Sequence, residues 1–74
     1  MKMHKILREA LDAASGVEYE LRFVVDERRD EFDRRSERWQ ESERGEDHVE
    51  LTDFIEGLAN AIELGISDIE GAHE

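Results

Sequence analysis

The strongest constraint on the fold is the spacing of the apolar residues in the C-terminal third of the chain. They recur every three or four positions, as residues on one face of an α-helix do: Leu51, Phe54, Ile55, Leu58, Ile62, Ile66 and Ile69. Asp47 and Glu50 have the spacing of a helix-capping box, Gly45 precedes them, and Gly71 is a typical stop. The pattern predicts a helix over residues 47–69.

The segment before Gly45 also has the character of a helix. It is rich in helix formers and in charges of both signs, and the chain contains no proline to interrupt it. Phe32 and Trp39 lie seven positions apart and in phase with Val25, and Gly45 is a typical C-terminal stop. We predict a second helix over residues 17–44.

Residues 17–25 are open to two interpretations. Their sequence, VEYELRFVV, alternates apolar and charged residues, which is typical of a half-buried strand. Because no other segment could pair with it, such a strand would need a second copy of the protein. The helical interpretation is favoured, since steps of four and three continue without a change of phase through Met3, Leu7, Ala10, Ala14, Val17, Leu21 and Val24.

The same stripe passes through Gly16, which allows two arrangements of the N-terminal half. Preserved phase favours one long helix over about residues 2–44. A glycine inside a helix costs about 1 kcal/mol relative to alanine, which favours a break at Ser15–Gly16. We expect the break, with a separate helix over residues 2–14.

A reversal of the chain at Gly45 would place Trp39 opposite Leu51 and Phe32 opposite Leu58. We therefore predict an all-α fold, an antiparallel helical hairpin with an additional N-terminal helix, in one domain over residues 1–74. A chain of this length buries little core, so we expect a homo-oligomer, a dimer or larger. The residues expected to mediate self-association are Met3, Leu7, Leu11, Tyr19 and Phe23.

Arg28 and Arg35 lie on or beside the apolar stripe. An arginine can lay its stem along the edge of a core and reach a carboxylate on the facing helix. Glu56 and Glu63 are the carboxylates we expect them to reach, and we favour this structural role over ligand binding.

Acidic residues outnumber basic ones by 21 to 10, and residues 46–74 contain nine acids and no lysine or arginine. A field of this sign repels nucleic acid and anionic membranes and attracts basic surfaces. We therefore expect a protein partner with a basic surface, no direct nucleic-acid binding and no membrane binding. The alternative is that the acidity serves only solubility or a high-salt cytoplasm. The candidate partner-binding acidic face comprises Glu46, Asp47, Glu50, Asp53, Glu56, Glu63 and Glu70.

Little in the sequence points to catalysis or to a cofactor. The absence of cysteine excludes disulfides and thiolate metal sites, and no Ser/His/acid constellation or Gly-rich phosphate loop is present. Glu70 and His73 have the Glu-x-x-His spacing of di-iron bundles, but one such motif at a chain end supplies too few ligands. We expect no enzymatic activity, no cofactor and no metal. With no signal-type or membrane-spanning apolar run, we expect a cytoplasmic protein.

The stretch from Arg34 to Gly45, RRSERWQESERG, resembles a segment of small acidic helical proteins encoded by bacteriophages and prophages. The resemblance spans these twelve residues, implies a helical hairpin from a mobile element, and carries over no catalytic residues. Small acidic phage proteins include inhibitors of host defence, among them anti-CRISPR proteins and DNA mimics. We therefore expect a non-enzymatic inhibitor of a host protein, acting in the host cytoplasm through its acidic face. The alternative is a self-assembling helical structural or scaffolding protein.

Overall fold

The computed structural model shows two long antiparallel helices joined by a turn that contains a short helix. It describes residues 4–73, and the side chains of residues 4–72. Helix α1 spans Lys5–Arg34, α2 spans Glu37–Gln40 and α3 spans Glu43–His73. The molecule is a rod with extents of 56 × 15 × 14 Å. The all-α prediction is confirmed for the described residues, and the segment 17–25 is helix rather than strand.

Helix α1 continues through Gly16, so the predicted break at Ser15–Gly16 and the separate helix over residues 2–14 are wrong. Half-buried residues lie on both sides of the glycine and pack towards α3: Leu11, Ala14, Glu18 and Leu21. This packing outweighs the cost of about 1 kcal/mol for a glycine inside a helix. The additional helix of the fold is therefore α2, in the turn, rather than an N-terminal one.

The chain reverses over residues 35–42, and not at Gly45 as predicted. Helix α1 ends where Arg35 adopts an extended backbone with ψ of 158°. The side-chain amide of Gln40 then donates hydrogen bonds to the carbonyl oxygens of Phe32 at 2.8 Å and of Arg35 at 3.2 Å. The Phe32 oxygen also accepts the Arg35 N–H at 3.1 Å, so the Gln40 amide adds a second bond to Phe32 and satisfies the Arg35 carbonyl at the end of α1.

Two serines cap the N-termini of the helices that follow α1, namely α2 within the turn and α3 after it. The hydroxyl of Ser36 accepts a hydrogen bond from the Trp39 N–H at 3.2 Å and caps α2. The hydroxyl of Ser42 accepts one from the Gly45 N–H at 3.3 Å at the start of α3. The predicted cap at Asp47 is therefore wrong, because α3 has already begun four residues earlier.

Gly45 is buried in the first turn of α3. A Cβ atom at this position would overlap the backbone carbonyl oxygens of Trp39 and Gln40. No glycine among the described residues has a positive φ, so left-handed backbone is not the reason for this glycine. Gly45 is required because the backbone of the turn passes so close to it.

The position of the turn shifts the two long helices past each other, relative to the predicted register, by roughly two to three helical turns. Phe32 stacks on His48, with ring centroids 6.1 Å apart, and not opposite Leu58. Trp39 packs against the same two rings instead of facing Leu51. The N-terminal stripe consequently meets the end of α3 inside the hairpin.

The interior of the hairpin is thin. Among the described residues only four are buried, and none of them carries a large, fully buried side chain: Val25, Gly45, Thr52 and Ala59. The predicted apolar stripe of α3 is divided by this interface. Its members Ile55, Ile62 and Ile66 are half-buried. Leu51, Phe54 and Leu58 are instead 50%, 65% and 53% exposed, respectively.

Candidate interaction surfaces

A hydrogen-bonded cluster joins α1 to α3 near the turn. The Nε of Arg28 donates to Thr52 Oγ1 at 2.8 Å, and Thr52 Oγ1 donates to the carbonyl oxygen of His48 at 2.8 Å. The Nε2 of His48 lies 2.9 Å from the carbonyl oxygen of Arg28, so it must be the protonated nitrogen of the ring. The side chains of Arg28, His48 and Thr52 are thus paired with one another or with backbone carbonyl groups.

Three aromatic rings close the same end of the hairpin. The Trp39 ring meets Phe32 edge-on at 5.9 Å and His48 at 5.6 Å. The guanidinium of Arg35 lies 4.2 Å from the centroid of the Trp39 ring, in cation–π geometry. Trp39 Nε1 is buried without a hydrogen-bond partner among the described residues.

The prediction that Arg28 and Arg35 reach Glu56 and Glu63 is wrong, because the true register places those arginines nearer the turn. Other arginines bind these carboxylates. Arg29 lies 3.1 Å from Glu56, and the arginine at position 22 lies 2.6 Å from Glu63.

These ion pairs lie along one edge of the contact between α1 and α3, which we call the polar flank: Arg22, Arg29, Glu56, Asn60 and Glu63. Arg22 also binds Glu18 at 2.8 Å and Asn60 at 3.2 Å. The hydrogen bond that Arg22 donates to Glu18 is the main cause of the raised pKa of Arg22, and the one that Arg29 donates to Glu56 is the main cause of the raised pKa of Arg29. Exposed pairs of this kind fix side-chain positions more than they stabilise the fold.

The seven acidic residues predicted to form one face do not lie together. Glu56 and Glu63 face α1 in the polar flank, and Glu70 lies at the far end of the rod beside Leu11 and Ile66. The remaining four are exposed within the first three turns of α3, and we call them the acidic tip: Glu46, Asp47, Glu50 and Asp53. No ion pair joins them to another described side chain.

The edge opposite the polar flank is apolar. At 100° per residue, Leu51 and Leu58 lie roughly 140° around α3 from the glutamates of the polar flank. Val17 and Val24 lie roughly 140° around α1 from its arginines. Because the two polar edges meet, the two apolar edges are neighbours on the other side of the hairpin. We call this surface the apolar flank: Val17, Val24, Leu51, Phe54, Leu58 and Ile69, which are 38–65% exposed.

The residues predicted to mediate self-association have different surroundings. Met3 lies outside the described residues, and Leu7 is 37% exposed near the start of α1. Leu11 is half-buried and lines a crevice with Ile66 of the same chain. Tyr19 and Phe23, which are 76% and 59% exposed, lie on the outer side of α1, away from α3.

Small or shallow depressions lie between the helices in the part of the chain that the structure describes. The one beside Arg28 and Thr52 encloses about 200 Å³ and is half open. Among the described residues, no three acidic or histidine side chains are placed to hold a metal ion. His73, the partner of Glu70 in the predicted Glu-x-x-His motif, lies outside the residues whose side chains are described. Within residues 4–73, neither long helix has a stretch apolar enough to cross a bilayer.

Comparisons with protein-family models, with curated proteins and with solved structures found no match to this chain. Its function is therefore argued from three surfaces: the acidic tip, the polar flank and the apolar flank.

Proposed function

We propose that this protein is a non-enzymatic, self-assembling helical module with a structural or scaffolding role. The observation that carries the proposal is the apolar flank, which extends from Leu51 to Ile69 along α3 and includes Val17 and Val24 of α1. Water-exposed apolar surface of this extent is typical of a protein–protein contact. The predicted alternative function is thus the one that the geometry supports best.

The size of the surface agrees with this function. The chain exposes 5960 Å², whereas a compact monomer of the same mass exposes about 4,700 Å². The excess arises because a two-helix rod has little interior. Association removes such surface from water, and each 100 Å² of apolar area removed contributes about 2.5 kcal/mol.

The test is the mass of the protein in solution, measured by light scattering over a range of concentrations at low and at high salt. Each copy carries a net charge of −11, so like charges oppose assembly at low salt. Salt screens this repulsion and leaves apolar contacts intact, so the dissociation constant should be unchanged or lower at high salt. A protein that stays monomeric at every concentration and salt level would disprove self-assembly.

The second candidate is the phage-type inhibitor, which would bind a basic surface of a host protein in place of nucleic acid. The acidic tip favours it, since its four carboxylates are exposed and have no ion pair among the described residues. Carboxylates in the first turns of a helix also favour the helix itself, through the helix dipole. The acidic tip could therefore serve helix stability alone, and a direct test must separate this role from partner binding.

Charge reversal separates the two interpretations. A variant with Glu46→Lys, Glu50→Lys and Asp53→Lys should lose a basic partner that the wild type captures from host lysate at low salt. Glu63→Gln is the control, because that carboxylate is already bound within the chain. Retention of the same partner by the triple variant would exclude the acidic tip as its binding site. If the protein is an inhibitor, the wild type should also weaken the nucleic-acid binding of that partner.

A further inference from the structure

We infer that a second copy of this chain covers the apolar flank, so that the assembled form is a four-helix bundle made of two hairpins. This inference rests on the proposed self-assembly and names the surface that carries it. It differs from the sequence-based expectation, in which the residues that mediate self-association are Met3, Leu7, Leu11, Tyr19 and Phe23.

The residues that surround Leu58 in the apolar flank differ in charge from those that surround Phe23 on the outer side of α1. Residues three and four positions away from Leu58 are all apolar: Phe54, Ile55, Ala61 and Ile62. Three of the corresponding neighbours of Phe23 are acidic: Glu20, Asp26 and Glu27. A contact between two copies centred on Phe23 would bring these carboxylates together, whereas a contact centred on Leu58 would bury apolar neighbours on α3. On α1, Glu20 and Glu27 border Val24 at the edge of the flank.

The dimensions of the apolar flank suit a partner of the same shape. The hairpin is 56 Å long and 14 Å thick. The members of the apolar flank on α3 run from Leu51 to Ile69, a length of about 27 Å at 1.5 Å per residue. A second hairpin has the length needed to cover the flank from end to end.

Two-fold symmetry allows this contact to close. In a symmetric dimer the same patch is used by both copies, so the patch must be compatible with itself. The apolar flank meets this condition because its six members are all apolar. The charges of the polar flank lie on the other edge of the hairpin and stay in water.

A matched pair of variants on α3 tests the inference. Leu58→Glu places a carboxylate in the apolar flank, and Leu64→Glu places one on another side of the same helix, among polar neighbours. The wild-type leucines are similarly exposed, at 53% and 63%. A symmetric dimer would bury two such carboxylates, so we expect Leu58→Glu to raise the dissociation constant at least about 100-fold and Leu64→Glu to change it by less than about threefold.

Sedimentation equilibrium measures the dissociation constants, and circular dichroism verifies that each variant is helical. Val24→Glu, on α1, is the second variant of the flank and should also give monomers. It replaces Leu58→Glu in the test if Leu58→Glu does not fold. A dimeric wild type with a dimeric Leu58→Glu and a monomeric Leu64→Glu would overturn the inference and leave self-assembly standing. A wild type that is monomeric throughout would overturn both.

Discussion

Replacement of Gly45 by alanine is the most direct test of how the turn is built. The added Cβ would overlap the carbonyl oxygens of Trp39 and Gln40, and both of these atoms belong to the backbone. They cannot move aside freely, since the Ser42 N–H donates to the Trp39 oxygen at 3.0 Å. Overpacking of this kind costs about 1–3 kcal/mol, so Gly45→Ala should destabilise the hairpin by that amount.

Gly16→Ala is the matched control. No atom lies within 4 Å of a Cβ at Gly16, and the residue is in the middle of α1. Alanine should therefore stabilise the protein by about 0.5–1 kcal/mol, through the ordinary difference in helix propensity. The same substitution should thus have opposite signs at the two positions.

Thermal unfolding followed by circular dichroism compares both variants with the wild type. One kcal/mol corresponds to about 4–8 °C in Tm for a domain of this size, so both shifts are measurable. Protein concentration must be held constant, because assembly makes Tm depend on concentration. If Gly45→Ala is as stable as the wild type, the close approach in the turn is refuted; if Gly16→Ala is less stable, the continuous helix is refuted.

Three further measurements test other contacts of the hairpin. Thr52→Val should lower the free energy of unfolding in urea by about 1–3 kcal/mol, because it removes the acceptor of an arginine hydrogen bond, and Thr52→Ser should cost less. Ser42→Ala should cost about 1 kcal/mol through loss of the α3 cap, whereas the exposed, mid-helix Ser67→Ala should have almost no effect in the same assay. The raised pKa values of Arg22 and Arg29 mean that their contribution is complete below the unfolded-state pKa and is lost only in strongly alkaline solution. The difference in the free energy of unfolding between the wild type and Arg22→Gln, measured in urea, should accordingly stay constant between about pH 6 and pH 9.

The helices could be predicted from the sequence, but the turn could not be placed from its glycine. Gly45 and the Asp47–Glu50 pair both have the form of helix-end signals, yet α3 runs through all three. The better signal was the repeated Ser-Glu-Arg at residues 36–38 and 42–44, since each serine caps a helix. Serine is among the preferred capping residues, so this repeat could have located the turn.

Periodicity also could not show which part of the apolar stripe faces α1. The apolar residues of α3 cover so much of its circumference that several rotations would bury a similar area. The observed rotation puts the small residues Gly45, Thr52 and Ala59 in the row nearest α1, where they allow close approach. The larger Leu51 and Leu58 are left on the flank, and that is why the surface inferred to bind a second copy was missed.

Assembly and partner binding are compatible, because they use different parts of the hairpin and respond to salt in opposite ways. At 100° per residue Asp47 shares the side of α3 that carries Leu51 and Leu58, whereas Glu46 and Asp53 lie at least about 120° away from both leucines and stay in water. A dimer therefore presents two such pairs of carboxylates on one particle. A partner with two basic sites would bind such a dimer more tightly than a monomer, by avidity. Leu58→Glu would then weaken capture of that partner without altering the acidic tip. The triple lysine variant would abolish capture, and because it lowers the net negative charge of each copy, it would leave assembly as strong as in the wild type or stronger.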